Sequence, residues 1–262
     1  MDRVKEHYEE ALEYFPEDRI VGIFYQGSGN YGLDYENSDV DTKLIVIPSV
    51  EDIIFNKKPV STTHVRSNGE HIDFKDVRLM FGTFRKQNLN FVEILFTKYC
   101  IVNPEYKEYW DVLVNNNEKI AHYNMYSAIK AMKGIAMEKY HAMEHRYPSK
   151  TEIIDKFGYD PKQLHHLLRV YEYLLRYING ESYSDCLISL NTKYLKDVKK
   201  GLYSLDDARH IANNIMRYID VMCSDITSDS TYNTCDSFVD DLLDNIQVYI
   251  VKKSIAKELH DI

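Results

Sequence analysis

Between Tyr25 and Ile47 an apolar segment runs into a Gly-Ser turn, a polar spacer and the tetrapeptide Ser38-Asp39-Val40-Asp41, which leads into a second apolar run ending Leu44-Ile45-Val46-Ile47. That order predicts a strand, a turn with a short helix, and a second strand. Gly27 lets the chain turn tightly out of the strand predicted at Ile20–Phe24. The helix after it would aim free backbone N–H groups and a positive dipole end at an anion, with the Ser28 hydroxyl as a further donor. On an extended backbone Asp39 and Asp41 project to one side while Val40 points into the core. Neighbouring carboxylates repel unless a cation lies between them, and an all-oxygen donor set favours Mg2+ or Mn2+ held together with substrate phosphates. A second ion would clamp both the attacking and the leaving oxygen. A Gly-Ser turn or an Asp-x-Asp pair alone is commonplace; their conjunction points to phosphate and metal chemistry.

On these residues the chain resembles the nucleotidyltransferase superfamily of DNA polymerase beta, whose signature is a Gly-Ser turn, a spacer, Asp-x-Asp and a third acid on a later strand. Gly27-Ser28 and Asp39-x-Asp41 occupy the first places. For the third, Asp73 stands between Ile72 and Phe74 in the segment His71–Val77. Asp76 is the competitor, and its odd spacing from Asp73 sets it on the opposite face of a regular strand. There are two departures. Gln26 precedes the glycine where an apolar residue is usual, and Thr42 follows Asp41 where an apolar residue is commoner. The resemblance implies transfer of a nucleoside monophosphate from an NTP such as ATP to an acceptor hydroxyl, with release of pyrophosphate. Asp39, Asp41 and Asp73 would be the catalytic residues and the ligands of two Mg2+ or Mn2+ ions, and Gly27 and Ser28 would bind the nucleotide.

With 262 residues and 44% hydrophobic content the chain can fill a globular core. It has no membrane-length apolar run, and Met1-Asp-Arg-Val-Lys-Glu is no secretory leader, so the expectation is a cytoplasmic protein without a membrane partner. The four cysteines, Cys100, Cys186, Cys223 and Cys235, are widely spaced, which suits reduced thiols. A net charge of −9 argues against a broad, nonspecific nucleic-acid surface. The charge is polarised, however: Lys130 to Arg176 holds nine Lys or Arg against six Asp or Glu. That stretch is the candidate path for an RNA acceptor.

A helix is predicted at Val4–Tyr14, ended by Pro16, and another at Val50–Phe55 with Ser49 as N-cap. A strand at Val60–Val65 enters an Asn68-Gly69 turn with a two-residue hairpin signal, which carries Asp73 up beside the first two carboxylates. From Val77 the period becomes helical: Val77, Met80, Phe81 and Phe84 share one face, and Phe91, Ile94 and Leu95 the next. Helices follow at Ile120–His145, Pro161–Tyr177 closed by Asn179-Gly180, Lys196–Lys200, Leu205–Cys223 and from Phe238, with a loop over Ser224–Asp236. Tyr171, Tyr173 and Tyr177 fall in an apolar pattern that favours core packing over base stacking.

Lys162, His166 and Arg169 are spaced four and three apart behind Pro161 and so share a helix face, a pattern suited to holding a polyanion. The chain resembles a family of predicted nucleotidyltransferases of bacteria and their phages over most of its length. That family joins the Gly-Ser and Asp-x-Asp core to an Asn-x-x-x-Glu-x-Leu-type segment, here Asn88 to Leu95, and to a helix read here as Tyr159-Asp160-Pro161-Lys162 through His166 to Arg169. Asn179-Gly180 and Lys199-Lys200-Gly201 follow in order. The resemblance implies an α+β fold: a small mixed sheet with flanking helices, residues 1–110, then a helical region, 111–262, closing the nucleotide and acceptor cleft. Glu93 reads as a structural cap or a site residue, the structural role being favoured. His141 and His145, four apart, read as a surface pair. The acceptor reads as an RNA 3′ end, a protein side chain or a small molecule. The contrasting reading is a catalytically idle nucleotide-binding regulatory protein.

Overall fold

The two apolar runs that flank the Gly-Ser turn pair with each other in antiparallel fashion. β1 (Ile20–Gln26) lies against β2 (Asp41–Val46), with Gln26 opposite Asp41 and Phe24 opposite Lys43. The computed structural model describes residues 2–35 and 38–260. The predicted carboxylate strand is β4 (His71–Asp76), and it runs parallel to β2 with Lys43 opposite Asp73. A parallel pair needs a crossover, which here contains α2 (Val50–Ile54) and β3 (Ser61–Val65), the antiparallel neighbour of β4. The cap predicted for α2 is present: the Ser49 side chain accepts from the Asp52 amide at 3.1 Å, and Asp52 accepts from the Ser49 amide at 2.9 Å. A short strand that periodicity does not reveal, β5 (Cys100–Val102), pairs with the outer side of β1, giving the order β3-β4-β2-β1-β5.

The two faces of this sheet differ because side chains alternate. Ile23, Tyr25, Leu44, Val46, Ile72 and Phe74 pack with Val4 and Ala11 of α1 (Asp2–Ala11) in one core cluster. At roughly 1.5–3 kcal/mol for each large apolar side chain buried, this cluster is a main source of stability. The other face carries Phe24, which stacks on Trp110 with ring centroids 4.0 Å apart, and then Gln26, Asp41, Lys43, Asp73 and Lys75.

Two compact units result, residues 1–30, 34–123 and 235–262 forming the first and 31–33 with 124–234 the second. In the first, α3 (Val77–Arg85) buries Val77, Met80, Phe81 and Phe84 as its period predicts, followed by α4 (Leu89–Val92), α5 (Lys107–Asn115) and α6 (Asn117–Ala121). The second holds α7 (Met125–Ala142), α8 (Thr151–Phe157), α9 (Pro161–Ile178), α10 (Tyr183–Leu187), α11 (Thr192–Lys199) and α12 (Leu205–Ser228). The last helix, α13 (Ser237–His260), returns to the first unit, where Arg85 pairs with Asp240 and Asp244, each at 2.7 Å. The division expected at 110/111 therefore differs from these units at two places. The chain changes unit after Tyr123, where Asn124 caps α7 by accepting the Ser127 amide at 2.7 Å, and α13 belongs with the sheet.

Other expectations are corrected locally. The single helix predicted over Ile120–His145 is broken between α6 and α7, because that Asn124 cap starts a new helix. The Asn68-Gly69 hairpin has a three-residue rather than a two-residue loop: the Arg66 amide bonds the Glu70 carbonyl at 2.8 Å, leaving Ser67, Asn68 and Gly69 outside the ladder. α1 ends at Ala11, and α12 runs five residues past Cys223, to Ser228, into the predicted loop. Tyr173 and Tyr177 are core residues, with rings stacked 5.7 Å apart. Among the described residues no helix is long and apolar enough to cross a membrane.

Candidate functional site

The register of β1 and β2 brings the sequence-distant parts of the motif together. Gln26 lies opposite Asp41, so the turn that starts at Gly27 leaves the sheet at the end where the Asp-x-Asp segment enters it. Gly27 has φ +119°, a value that L side chains rarely adopt. Its amide donates to Glu93 Oε1 at 2.9 Å, and the Asn30 side chain reaches the same oxygen at 3.5 Å. Glu93 is fully buried and is thus the brace of the turn, as its structural reading anticipated. The Gly27 amide is correspondingly occupied, so Gly27 contributes the turn's shape and not a donor. The element after it is a single 3-10 turn, Ser28–Tyr31, in which the Gly29 amide donates to the Tyr25 hydroxyl at 2.8 Å and the Asn30 amide to the Gly27 carbonyl at 2.9 Å. Ser28 is half-buried, and its side chain hydrogen-bonds the Tyr25 hydroxyl.

Asp39 is exposed, Val40 packs against the core cluster and Asp41 is half-buried at the start of β2. Asp39 precedes the strand. What holds this stretch is Glu70, 1% exposed, which the sequence reading missed. Its Oε1 accepts the Val40 amide at 2.9 Å, between the two aspartates, and pairs with Arg3; its Oε2 accepts from His7 at 3.0 Å, Arg66 at 3.0 Å and Asn68 at 2.7 Å. His7 also meets the Thr42 hydroxyl at 2.9 Å, which accounts for a polar residue at that position. A buried acid in a hairpin loop gives no signal by spacing alone. Asp41 takes the His71 amide at 3.1 Å and His71 Nδ1 at 2.9 Å, both on Oδ1. His71 is a second neighbour that sequence reasoning passed over.

Asp73 lies on the same sheet face. Its Oδ2 accepts from Lys43 Nζ at 3.0 Å and its Oδ1 from the Thr63 hydroxyl at 2.6 Å. Burial works against its charge, but the Lys43 ammonium and these hydrogen bonds outweigh burial and hold its pKa below the usual carboxylate value. Asp76, the competing acid, faces the opposite way, is 1% exposed, caps α3 through the Arg78 amide at 2.8 Å and pairs with the Arg78 guanidinium at 2.6 Å. A polar cleft of about 430 Å³ opens beside Asp73, lined by Gln26, Lys43, Thr63, Lys75, Asn88 and Phe91 among others.

In the second unit, α9 starts at Pro161 under an Asp160 cap. Lys162 is exposed, His166 half-buried and Arg169 9% exposed. The Arg169 guanidinium stands 3.8 Å from the Tyr31 ring centroid, and its buried Nε has no hydrogen-bond partner. Desolvation first, then Arg169, His165 and Lys162, keeps the His166 pKa well below the ordinary imidazole value. His165 is a core residue whose Nδ1 donates to the Leu195 carbonyl at 2.9 Å.

For a divalent cation the donor sets divide. Asp39 and Asp41 are short, oxygen-bearing and accessible, the donor chemistry that Mg2+ or Mn2+ takes while keeping several waters. Asp73 already carries the Lys43 ammonium on one oxygen and the Thr63 hydroxyl on the other, so a second ion there would meet a cation in place. Among the described residues no group of three or more His, Cys, Asp or Glu side chains converges as a metal cage. No known protein family and no curated protein matches the chain.

Proposed function

We propose that the chain is a metal-dependent nucleotidyltransferase that moves a nucleoside monophosphate from an NTP to an acceptor hydroxyl and releases pyrophosphate. The observation that carries the reading is the Gln26–Asp41 register, which sets the positive-φ Gly27 turn and the Asp39–Asp41 pair at one end of adjacent strands. Phosphate-binding turn and carboxylates then address the same group. Asp39 and Asp41 would hold a divalent ion, which when bound neutralises charge on the phosphates. The Ser28 hydroxyl would donate to an outer phosphate oxygen. Asp73, kept ionised, would accept the hydrogen bond of the acceptor hydroxyl and orient it. Arg169, with Lys162 and His166, is proposed as the anion-binding group of the second unit.

An RNA 3′ end is the proposed acceptor, engaged at its terminal nucleotides and not along a lengthy backbone. Within residues 130–176 Lys133, Lys139, Arg146, Lys150 and Arg176 are each paired with a carboxylate, so five of the nine basic residues are engaged within the protein. The test is incubation with each labelled NTP and Mg2+ or Mn2+, first with bulk RNA and then with protein extract. Label in RNA and released pyrophosphate are expected, both lost in a well-folded Asp41→Ala protein. Label in protein would replace RNA as acceptor; nucleotide binding without pyrophosphate would mark an idle relative; full activity of Asp41→Ala would sink the reading.

A further inference from the structure

Lys43 is the one charged residue of β2 beyond Asp41, and the sheet register places it directly opposite Asp73 on the parallel neighbour. It also follows Asp41 by two residues, so both project from the same face. Its Nζ lies 3.0 Å from Asp73 Oδ2, with a side chain only 10% exposed. The ammonium is 5.3 Å from the Phe91 ring centroid, and Lys75 Nζ stands 6.0 Å from that same centroid. Lys43 therefore has a carboxylate ahead of it, an aromatic ring beside it and a like charge as its neighbour. An ion that bound Asp73 Oδ2 at about 2.0–2.1 Å would be pressed against that ammonium. Thr63 donates to Asp73 Oδ1 at 2.6 Å, so each carboxylate oxygen already carries a donor.

We infer that Lys43 is a built-in cation that takes the place of a second metal ion, so that the site binds a single divalent ion on Asp39 and Asp41 while Asp73 is an ion-paired positioning residue and not a ligand. The inference rests on the transferase reading but replaces its two-ion form. A fixed ammonium supplies one positive charge at Asp73 at every metal concentration, so its charge is compensated before any ion arrives. It also makes the site's demand for free metal first order.

Metal stoichiometry tests this without reference to turnover. Bound Mn2+ would be counted by electron paramagnetic resonance in the full-length chain, saturated with a non-hydrolysable ATP analogue whose own binding is followed in parallel. One Mn2+ per chain is expected for the wild type, and two for Lys43→Met, which exposes the Asp73 carboxylate to the second ion. Asp73→Asn, which keeps the shape of the site, should still bind one Mn2+ with an affinity within about threefold, and the Lys43→Met/Asp73→Asn pair should return to one. Two ions in the wild type, one in folded Lys43→Met, or loss of Mn2+ in Asp73→Asn would overturn the inference while leaving nucleotide binding, and so the transferase reading, intact. Absence of both Mn2+ and nucleotide from the wild type would overturn the two together.

Discussion

The fully buried carboxylate of Glu93 accepts the Gly27 amide hydrogen at 2.9 Å, tying the turn after β1 to the segment after α4 across 66 residues of sequence. The bond fixes the φ +119° residue from which the turn departs. A hydrogen bond to a charged acceptor contributes about 1.5–3 kcal/mol, and an orphaned buried amide adds to the loss. Glu93→Ala is therefore expected to cost about 2–4 kcal/mol in urea unfolding, with Glu93→Gln, which keeps an acceptor oxygen, costing about half of that. Equal stability of Glu93→Ala and wild type would show that the turn holds itself.

Glu70 does for Asp39 and Asp41 what Glu93 does for Gly27. It holds the Val40 amide and is met by Arg3, His7, Arg66 and Asn68. Removing one partner of a buried pair leaves uncompensated charge and typically costs about 3–5 kcal/mol. Glu70→Ala should fall in that range, and Arg66→Met in the same background should cost less than it does alone, since Arg66 then keeps only its contacts with Glu10 and Glu6. Additive losses in that double-mutant cycle would exclude coupling through Glu70.

These two glutamates mark where sequence reading stops. Strand-turn-strand order, the Ser49 cap, the face Val77-Met80-Phe81-Phe84 and the Pro161 helix start were legible because each depends on residues close in sequence. Glu70, the partner of Glu93 and the Lys43–Asp73 pair were not, because these groups meet only once the fold is set: 30 residues separate Glu70 from Val40, and also Lys43 from Asp73, and 66 separate Gly27 from Glu93. β5, only Cys100–Val102, is too short to show an alternation. Thr42 read as a departure from pattern until His7 supplied its partner at 2.9 Å.

Arg169 offers a buried, unpartnered Nε and a planar cation lying 3.8 Å from the Tyr31 centroid. Lysine cannot reproduce either the stacking or a bidentate grip on phosphate. Arg169→Lys should weaken binding of a fluorescent NTP analogue by about 10- to 100-fold, roughly 1.4–2.8 kcal/mol, with the salt dependence little changed because the charge is kept. Unchanged affinity would remove the α9 face from nucleotide recognition.

Protonation of the second unit's core gives a prediction with a definite sign. His165 is 3% exposed and donates to the Leu195 carbonyl, and its pKa falls from 6.5 to about 4, chiefly because burial disfavours the charged ring and then because Lys199, Arg169 and Lys162 lie near. The unfolded chain therefore binds a proton at a pH where the folded one does not. Stability from this residue is fully present above about pH 6.5 and is lost as pH falls toward about 4, by up to about 3 kcal/mol. His7, also lowered to about 4, and His166 act in the same direction, so wild-type stability should decline steeply between about pH 7 and about pH 5. His165→Gln keeps a donor for the Leu195 carbonyl but cannot titrate. Its stability-versus-pH slope in urea unfolding should be shallower than wild type by up to one proton's worth, about 1.4 kcal/mol per pH unit. Parallel slopes for the two proteins would mean that His165 takes up its proton in the folded state as readily as in the unfolded one, and that its burial imposes no penalty on charge.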